Sequence, residues 1–362
     1  MDALGDGGRT REPRRAPRLD PDKTKPMRSR NVGLGVDIDL STVPTRGYAT
    51  FRPAPRRCEK ILAQWDGAAK KGMSPSDAAH LLGTSGFLLE TACARVGRAA
   101  LLPLVDRQHR SKGNSFTPAM ARSRSFFRAL LAGEAPRLPP LRMPIAPSAT
   151  PPLLVYTDAA FSWRRKRKGQ CDVAGRPREG YLPRSDPIPA PWQFNGELGM
   201  MIHDQLDGWT VVAAGRPDDG TVLGYMRRQR RTYIAQLEGL GALAPYYTFP
   251  ARFAGRRVVH FIDNTVAQSA LVHGYASDVD MADISNGFHL LAAGLRMSAY
   301  FDYVPSKANI ADLPSRGEFA VPRALGAEVV SMRVPPHAML TGPLERWLDL
   351  GAEYGSAKDW PT

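Results

Sequence analysis

Val-Val-His-Phe-Ile-Asp-Asn-Thr-Val-Ala-Gln-Ser-Ala, residues 258–270, decides how this chain is read. Apart from His260, residues 258–262 are apolar and β-branched or aromatic, as in a buried strand. The strand ends on Asp263 and Asn264, and helix-compatible residues follow. In α/β sheets, ligands and chemistry gather at the carboxyl ends of the strands, so a carboxylate at this tip is a candidate functional group. Three further acids are its candidate partners: Asp158, Glu238 and Asp312.

Upstream, Leu-Leu-Val-Tyr-Thr-Asp-Ala-Ala at 153–160 reads as a second buried strand ending in Asp158. A polar, proline-containing insertion at 163–195 includes Trp-Arg-Arg-Lys-Arg-Lys and reads as a loop. Residues 196–204 and 209–214 form two strands around a turn at Asp207-Gly208, and 221–225 extends the sheet. A helix over 232–244 puts Ile234, Leu237 and Leu240 on its core face, with Glu238 at the border of that face. Downstream, Ile284, Phe288, Leu291 and Leu295 mark a helix over 283–296. A strand at 298–304 leads into Pro-Ser-Lys-Ala-Asn-Ile-Ala-Asp-Leu-Pro-Ser-Arg at 305–316.

Around this α/β unit the chain divides by composition. Residues 1–30 are rich in Arg, Pro, Gly and Asp without apolar periodicity, a composition expected to be disordered. The region 31–133 reads as a strand at 32–40 paired with 48–52, then helices over 58–72, 74–96 and 117–133. Ser74 is the expected N-cap of the second helix, with Pro75 in its first turn. Residues 134–152 are proline-rich and read as a semi-rigid linker at a domain boundary. The expected architecture is therefore a small, mainly helical unit followed by an α/β domain at 153–317. A tail at 318–362 carries a short helix near 344–350.

The 362 residues carry a formal net charge of +14 with pI ≈ 10.0, which favours polyanionic partners, nucleic acid above all. Cys58, Cys93 and Cys171 are widely spaced, which argues against a disulfide framework or structural zinc site. That usage fits an intracellular, reducing compartment, with nucleus and cytoplasm not distinguished. The N-terminus lacks the apolar core of a secretory signal, and no apolar run is long enough to span a membrane.

Four acids brought together from separate elements repel one another unless a cation neutralises them. Mg²⁺, a hard ion that takes carboxylate and phosphate oxygens, fits that need, and Mn²⁺ can substitute. Two such ions about 4 Å apart support phosphodiester hydrolysis by activating water and stabilising the leaving oxygen. In this reading Asp158 and Asp263 flank both ions, Glu238 holds one and Asp312 the other.

Four motifs, Tyr-Thr-Asp-Ala-Ala at 156–160, Ala-Gln-Leu-Glu at 235–238, Ile-Asp-Asn-Thr at 262–265 and Val-Pro-Ser-Lys-Ala-Asn-Ile-Ala-Asp-Leu-Pro-Ser-Arg at 304–316, resemble the RNase H domain of retroelement reverse transcriptases. DIRS-type and gypsy-type elements are the most similar, and the last motif is the most specific. The resemblance spans about 153–317. It implies an RNase H-like three-layer α/β fold, a five-stranded mixed sheet flanked by helices, and Asp158, Glu238, Asp263 and Asp312 as catalytic, metal-binding acids. More weakly, 33–104, including Leu-Gly-Thr-Ser-Gly-Phe-Leu at 82–88 and Val-Gly-Arg-Ala at 96–99, is similar to the palm-end and thumb or connection region of such enzymes.

The chain has no Tyr-x-Asp-Asp motif, so polymerase activity is not expected, and no histidine stands in 303–309. The expected activity is metal-dependent cleavage of the RNA strand of an RNA–DNA hybrid. Candidate nucleic-acid contacts are Arg227, Arg228, Arg230, Arg231, Asn264, Lys307, Asn309 and Arg316. Asn264 and Asn309 also suit fixing the local backbone, and His260, inside a strand, suits packing better than catalysis. The alternative reading is a catalytically inactive nucleic-acid-binding remnant of a retroelement.

Overall fold

The computed structural model describes residues 28–111, 113–133, 137–145, 149–163, 194–228, 230 and 232–355. Residues 1–27 of the tail expected at 1–30, and 164–193 of the insertion read at 163–195, lie outside them.

The amino-terminal part is built on a four-stranded antiparallel sheet: β1 (Arg30–Gly33), β2 (Val36–Asp39), β3 (Tyr48–Pro53) and β4 (Leu141–Pro144). A short helix α1 (Val43–Arg46) joins β2 to β3. The sequence reads 32–40 as one strand, but the chain reverses within it. Leu34 and Gly35 have φ of 52° and 86°, the left-handed pair that a tight two-residue hairpin requires. The first strand starts at Arg30, so the polar amino-terminal stretch stops short of it. β4 lies inside the proline-rich 134–152 stretch and completes the sheet against β3. Its proline stands at the end of the strand, a position that tolerates a missing N–H.

Four helices pack beside this sheet. In α2 (Pro55–Lys71), Cys58, Ile61, Trp65 and Ala68 fall on one buried stripe. α3 (Pro75–Ala92) opens with a reciprocal Ser74–Asp77 capping box. α4 (Leu102–His109) and α5 (Pro118–Leu131) follow, the latter capped by Thr117 Oγ1 accepting from the Met120 N–H at 3.2 Å. Trp65 stacks on Phe127, ring centroids 5.7 Å apart, at the centre of this cluster.

The second part is a mixed sheet with helices. β5 (Leu153–Trp163), β6 (Phe194–Asp204) and β7 (Thr210–Gly215) form an antiparallel meander. Then come α6 (Asp219–Met226), α7 (Ile234–Thr248), α8 (Pro250–Phe253), β8 (Arg257–Ile262), α9 (Thr265–His273), α10 (Val279–Leu295), β9 (Ser298–Tyr303) and α11 (Asp312–Ser315). The last elements are α12 (Ala320–Ala324), β10 (Glu328–Val329), α13 (His337–Thr341) and α14 (Glu345–Gly355). The strand order is β10-β7-β6-β5-β8-β9, with β8 and β9 parallel to β5.

The sheet has six strands where five were expected. The extra strand, β10, comes from the stretch read as a tail and pairs parallel to β7. Residues 221–225, expected to extend the sheet, belong to helix α6. Asp218 caps that helix, its Oδ1 accepting from the Thr221 N–H at 2.7 Å, and this local bond outweighs the β-branched character of Thr221 and Val222. Trp347 of α14 is fully buried, so the carboxyl-terminal stretch is part of the core.

Alternation along β6 separates the two faces. A Cβ on Gly241 of α7 would meet the Leu198 side chain, whereas one on Gly199 would stand 2.4 Å from the Ser315 nitrogen and 2.5 Å from the Ala311 carbonyl. Helix α7 therefore covers one face and α11 the other. One continuous buried cluster runs from Trp65 and Phe127 through the β5–β8 core to Trp347.

Candidate active site

Asp158 is the sixth residue of β5 and sits opposite Gly199 of β6. The strand was expected to end at this acid, but it continues to Trp163 because β6 pairs with it along its whole length. On the other side, pairing with β8 stops at Tyr156↔Phe261. Asp158 and Asp263 each lie two residues beyond that pair, where the sheet opens between two neighbouring parallel strands. This is the crevice outside strand carboxyl ends in which α/β sheets take ligands.

Glu238 reaches the same crevice from the first half of α7. One carboxylate oxygen from each of Asp158, Glu238 and Asp263 lies within 4.8 Å of the others. Glu238 is 4% exposed and Asp158 5%, so Glu238 sits inside the core rather than at the border of its helix face.

Burial pushes the Glu238 carboxyl well above its ordinary pKa, and the charges of Asp158 and Asp263 push it the same way. The Ala159 N–H opposes the rise by hydrogen bonding to the carboxylate. Asp158 is pushed up to about 6, chiefly by burial, with the Ser315 hydroxyl opposing and the Asp263 and Asp312 charges reinforcing. Among the described residues Glu238 Oε2 has no hydrogen-bond partner. An unbonded buried carboxylate oxygen beside two further carboxylates is costly unless a cation shares the site. The donor set is all oxygen, which suits a hard divalent ion. The triad is thus able to hold a metal ion.

Asp312, the fourth expected acid, lies outside this tight cluster. It opens α11, and its Oδ1 accepts from Arg316 Nε at 2.8 Å. Its charge still reaches Asp158 and Glu238.

The loop carrying Asp312 is fastened to β5 at two points. Asn309 Nδ2 donates to the Thr157 carbonyl at 2.9 Å, and Ser315 Oγ donates to Asp158 Oδ2. Both side chains are buried, and Gly199, having no side chain, leaves the room that the Ala311 and Ser315 backbone occupies. Beneath Asp158, on the α7 face, Thr157 Oγ1 and Tyr246 Oη lie 2.8 Å from His260 Nε2 and Nδ1. Burial holds His260 down at about 3, so the ring is a neutral bridge between β8 and α7, as its position inside the strand implied.

The expected nucleic-acid contacts divide. Arg227, Lys307 and Arg316 are exposed, Lys307 and Arg316 on the segment that carries Asp312. Arg230 is bound by Asp278 and Asp280, the latter at 2.6 Å, and Arg228 approaches Asp280 at 3.7 Å. Both arginines therefore tie the approach to α7 onto the start of α10. Asn264 caps α9, its Oδ1 accepting from the Val266 and Ala267 N–H groups at 3.1 Å each. Asn309 is buried against Thr157 and serves the backbone there rather than a ligand. Arg231 lies outside the described residues.

Sequence reasoning did not single out Gly199 and left Ser315 open between a ligand and a backbone role. A glycine inside an otherwise well-formed strand was the one available signal, since it marks close backbone approach. Among the described residues no helix is long and apolar enough to cross a membrane. No protein-family model matches the chain, and no curated protein matches its sequence.

Proposed function

We propose that this chain is an RNase H-like, Mg²⁺-dependent nuclease acting on the RNA strand of RNA–DNA hybrids. The observation that carries the reading is the convergence of Asp158, Glu238 and Asp263 from three separate elements onto one crevice, with a buried Glu238 oxygen left unbonded. Order along the chain supports it too: strand acid, helix acid, acid after a parallel strand, then Asp312 on the loop after β9. The strand order β7-β6-β5-β8-β9, three antiparallel and two parallel, is the mixed sheet that such a fold needs.

Asp158 on β5 and Asp263, just past the end of the adjacent β8, define the floor of the site. Glu238 closes it from the α7 side, and Asp312 enters from the opposite face. Magnesium held by these oxygens would offset their charge and that of the scissile phosphate, and would lower the pKa of the attacking water. Ser315 and Asn309 keep the Asp158 carboxylate and the Asp312 loop in register. The exposed Lys307 and Arg316 sit where a substrate backbone would pass, and recognition by duplex shape and 2′-hydroxyls needs no further base contacts.

The test is a labelled RNA–DNA hybrid incubated with the purified chain in Mg²⁺, Mn²⁺ or EDTA, with Asp263→Asn alongside. RNA-strand cleavage that requires metal and drops at least about a hundredfold in the variant is the expected result, since the ligand set is broken. Equal binding by both proteins without cleavage in any metal would overturn the nuclease reading and leave a non-catalytic nucleic-acid-binding module.

A further inference from the structure

A cleft of about 830 Å³ lies between the start of β4 and the free edge of the six-stranded sheet, away from the carboxylates. Its walls include Arg95, Arg142, His273, Arg296, Tyr300 and Phe301. The Asp263 end of α9 and the Tyr303 end of β9 face the crevice, whereas the cleft takes in His273 and Ser298, at the far ends of those elements. A second hollow of about 430 Å³ continues past Leu138, Pro139 and Pro140 and adds Arg30, Arg52 and Arg137, with Arg296 lining both. Together the walls carry six arginines (30, 52, 95, 137, 142 and 296) against two carboxylates, Glu90 and Asp37.

Both carboxylates are already taken, Glu90 by Arg95 and Arg98 and Asp37 by Arg30, while Arg137 pairs with Asp349. Among the described residues neither Arg52 nor Arg296 makes a close ion pair or a side-chain hydrogen bond, although the Arg52 charge reaches Asp39 on the neighbouring strand. Arg296 is the carboxyl-terminal cap of α10 with φ 55°, a left-handed position where Gly or Asn is usual. An arginine is thus kept in an unfavourable backbone conformation with its charge unspent, at the junction of two hollows. Tyr300 is 65% exposed on the edge strand and offers a bare ring to the same cleft.

We infer that this cleft binds a single strand of nucleic acid. Arg52 and Arg296 take successive phosphates and Tyr300 stacks on a base. The volume lies in the range that encloses a nucleotide-sized ligand. A basic groove with an aromatic platform is the general means of holding single strands without sequence readout. The site does not depend on the nuclease reading, because neither its arginines nor Tyr300 touches the carboxylate triad.

The test is fluorescence anisotropy of a labelled short oligo(dT) with the full chain in EDTA, titrated at several salt concentrations. The variants are Arg52→Gln/Arg296→Asn, which removes both charges and places a residue suited to the left-handed position, and Tyr300→Ala. Lys70→Ala/Lys71→Ala removes the same charge from the exposed end of α2. The arginine pair is expected to weaken binding at least about tenfold and to reduce the salt slope by about 1.4, two contacts at roughly 0.7 each. Tyr300→Ala is expected to weaken it at least about fivefold, and the lysine pair to change it less than about twofold. Equal losses in the arginine and lysine pairs, or unchanged affinity in the arginine pair, would overturn the proposal. Ultraviolet crosslinking of oligo(dT) to the unmodified chain gives a second reading. Adducts on peptides containing Arg296 or Tyr300 support the site, and adducts confined elsewhere reject it.

Discussion

Glu238 keeps a carboxylate in the core with one oxygen unbonded and two other acids beside it. A neutral side chain of the same shape should therefore be tolerated when no metal is present. In EDTA at neutral pH, Glu238→Gln should melt no lower than the unmodified chain, while any stabilisation by Mg²⁺ should disappear; both are read by thermal melts. Asp158 adds a pH dependence. Its folded pKa of about 6 exceeds the roughly 3.9 of an unfolded aspartate, so the folded state binds the extra proton between those values. Stability of the metal-free chain should rise as the pH falls from 7 toward 4, and melts across that window check the sign. Ser315 donates to Asp158 and favours its charged form. Ser315→Ala should move the acid limb of any metal-dependent activity to higher pH and cost about 1–2 kcal/mol of stability. An unmoved limb would show that the hydroxyl serves packing alone.

At the scale of elements, the decisive contact is α11 on β6. Gly199 lies opposite Asp158, and its missing side chain is the space that the Ser315 nitrogen and Ala311 carbonyl fill. Backbone cannot yield as a flexible side chain can. Gly199→Ala should cost about 1–3 kcal/mol by overpacking and should push the Asp312 loop off the crevice. Denaturant unfolding reads the first effect and the hybrid-cleavage assay the second. Full activity with full stability would mean that α11 does not help to build the site. Neighbouring elements are locked more conventionally, β8 to α7 through the neutral His260 bridge and α9 by its Asn264 cap.

Over the whole molecule, the two sheets share one buried core rather than two. The helical part grips α10 where the Asn286 side-chain Oδ1 accepts from the Gly97 N–H at 3.1 Å, and Arg95 donates to the Val272 carbonyl. From the other side, α14 lies against α10 through glycine contacts at Gly294 and Gly351 and the buried Trp347. Asn286→Ala would leave the buried Gly97 N–H unsatisfied, at about 1–3 kcal/mol. Calorimetry should then show one transition moved down as a unit. Separate transitions for the two parts, with only one shifted, would contradict a shared core.

The order of acids and strands was legible along the chain because each signal is local. The 258–262 strand, the 153–160 strand and the stripes of α7 and α10 show themselves in runs of apolar residues, and Ser74 shows itself as a cap. The formal charge of +14 favours polyanionic partners but names no surface for them. Long-range packing decided the rest. That β5 runs on past Asp158 while β8 stops is set by pairing, and it opens the crevice. A two-residue strand from the tail joins β7, and β4 emerges from a proline-rich stretch, because open sheet edges satisfy their backbone groups with whatever chain lies nearest. Arg230 looked like a phosphate ligand in a basic run, yet Asp278 and Asp280, distant in sequence, claim it. Apolar periodicity and capping act between residues a few positions apart and can be read from order alone. The partner of a charge and the end of a strand depend on which distant segments meet, and only the folded chain fixes that.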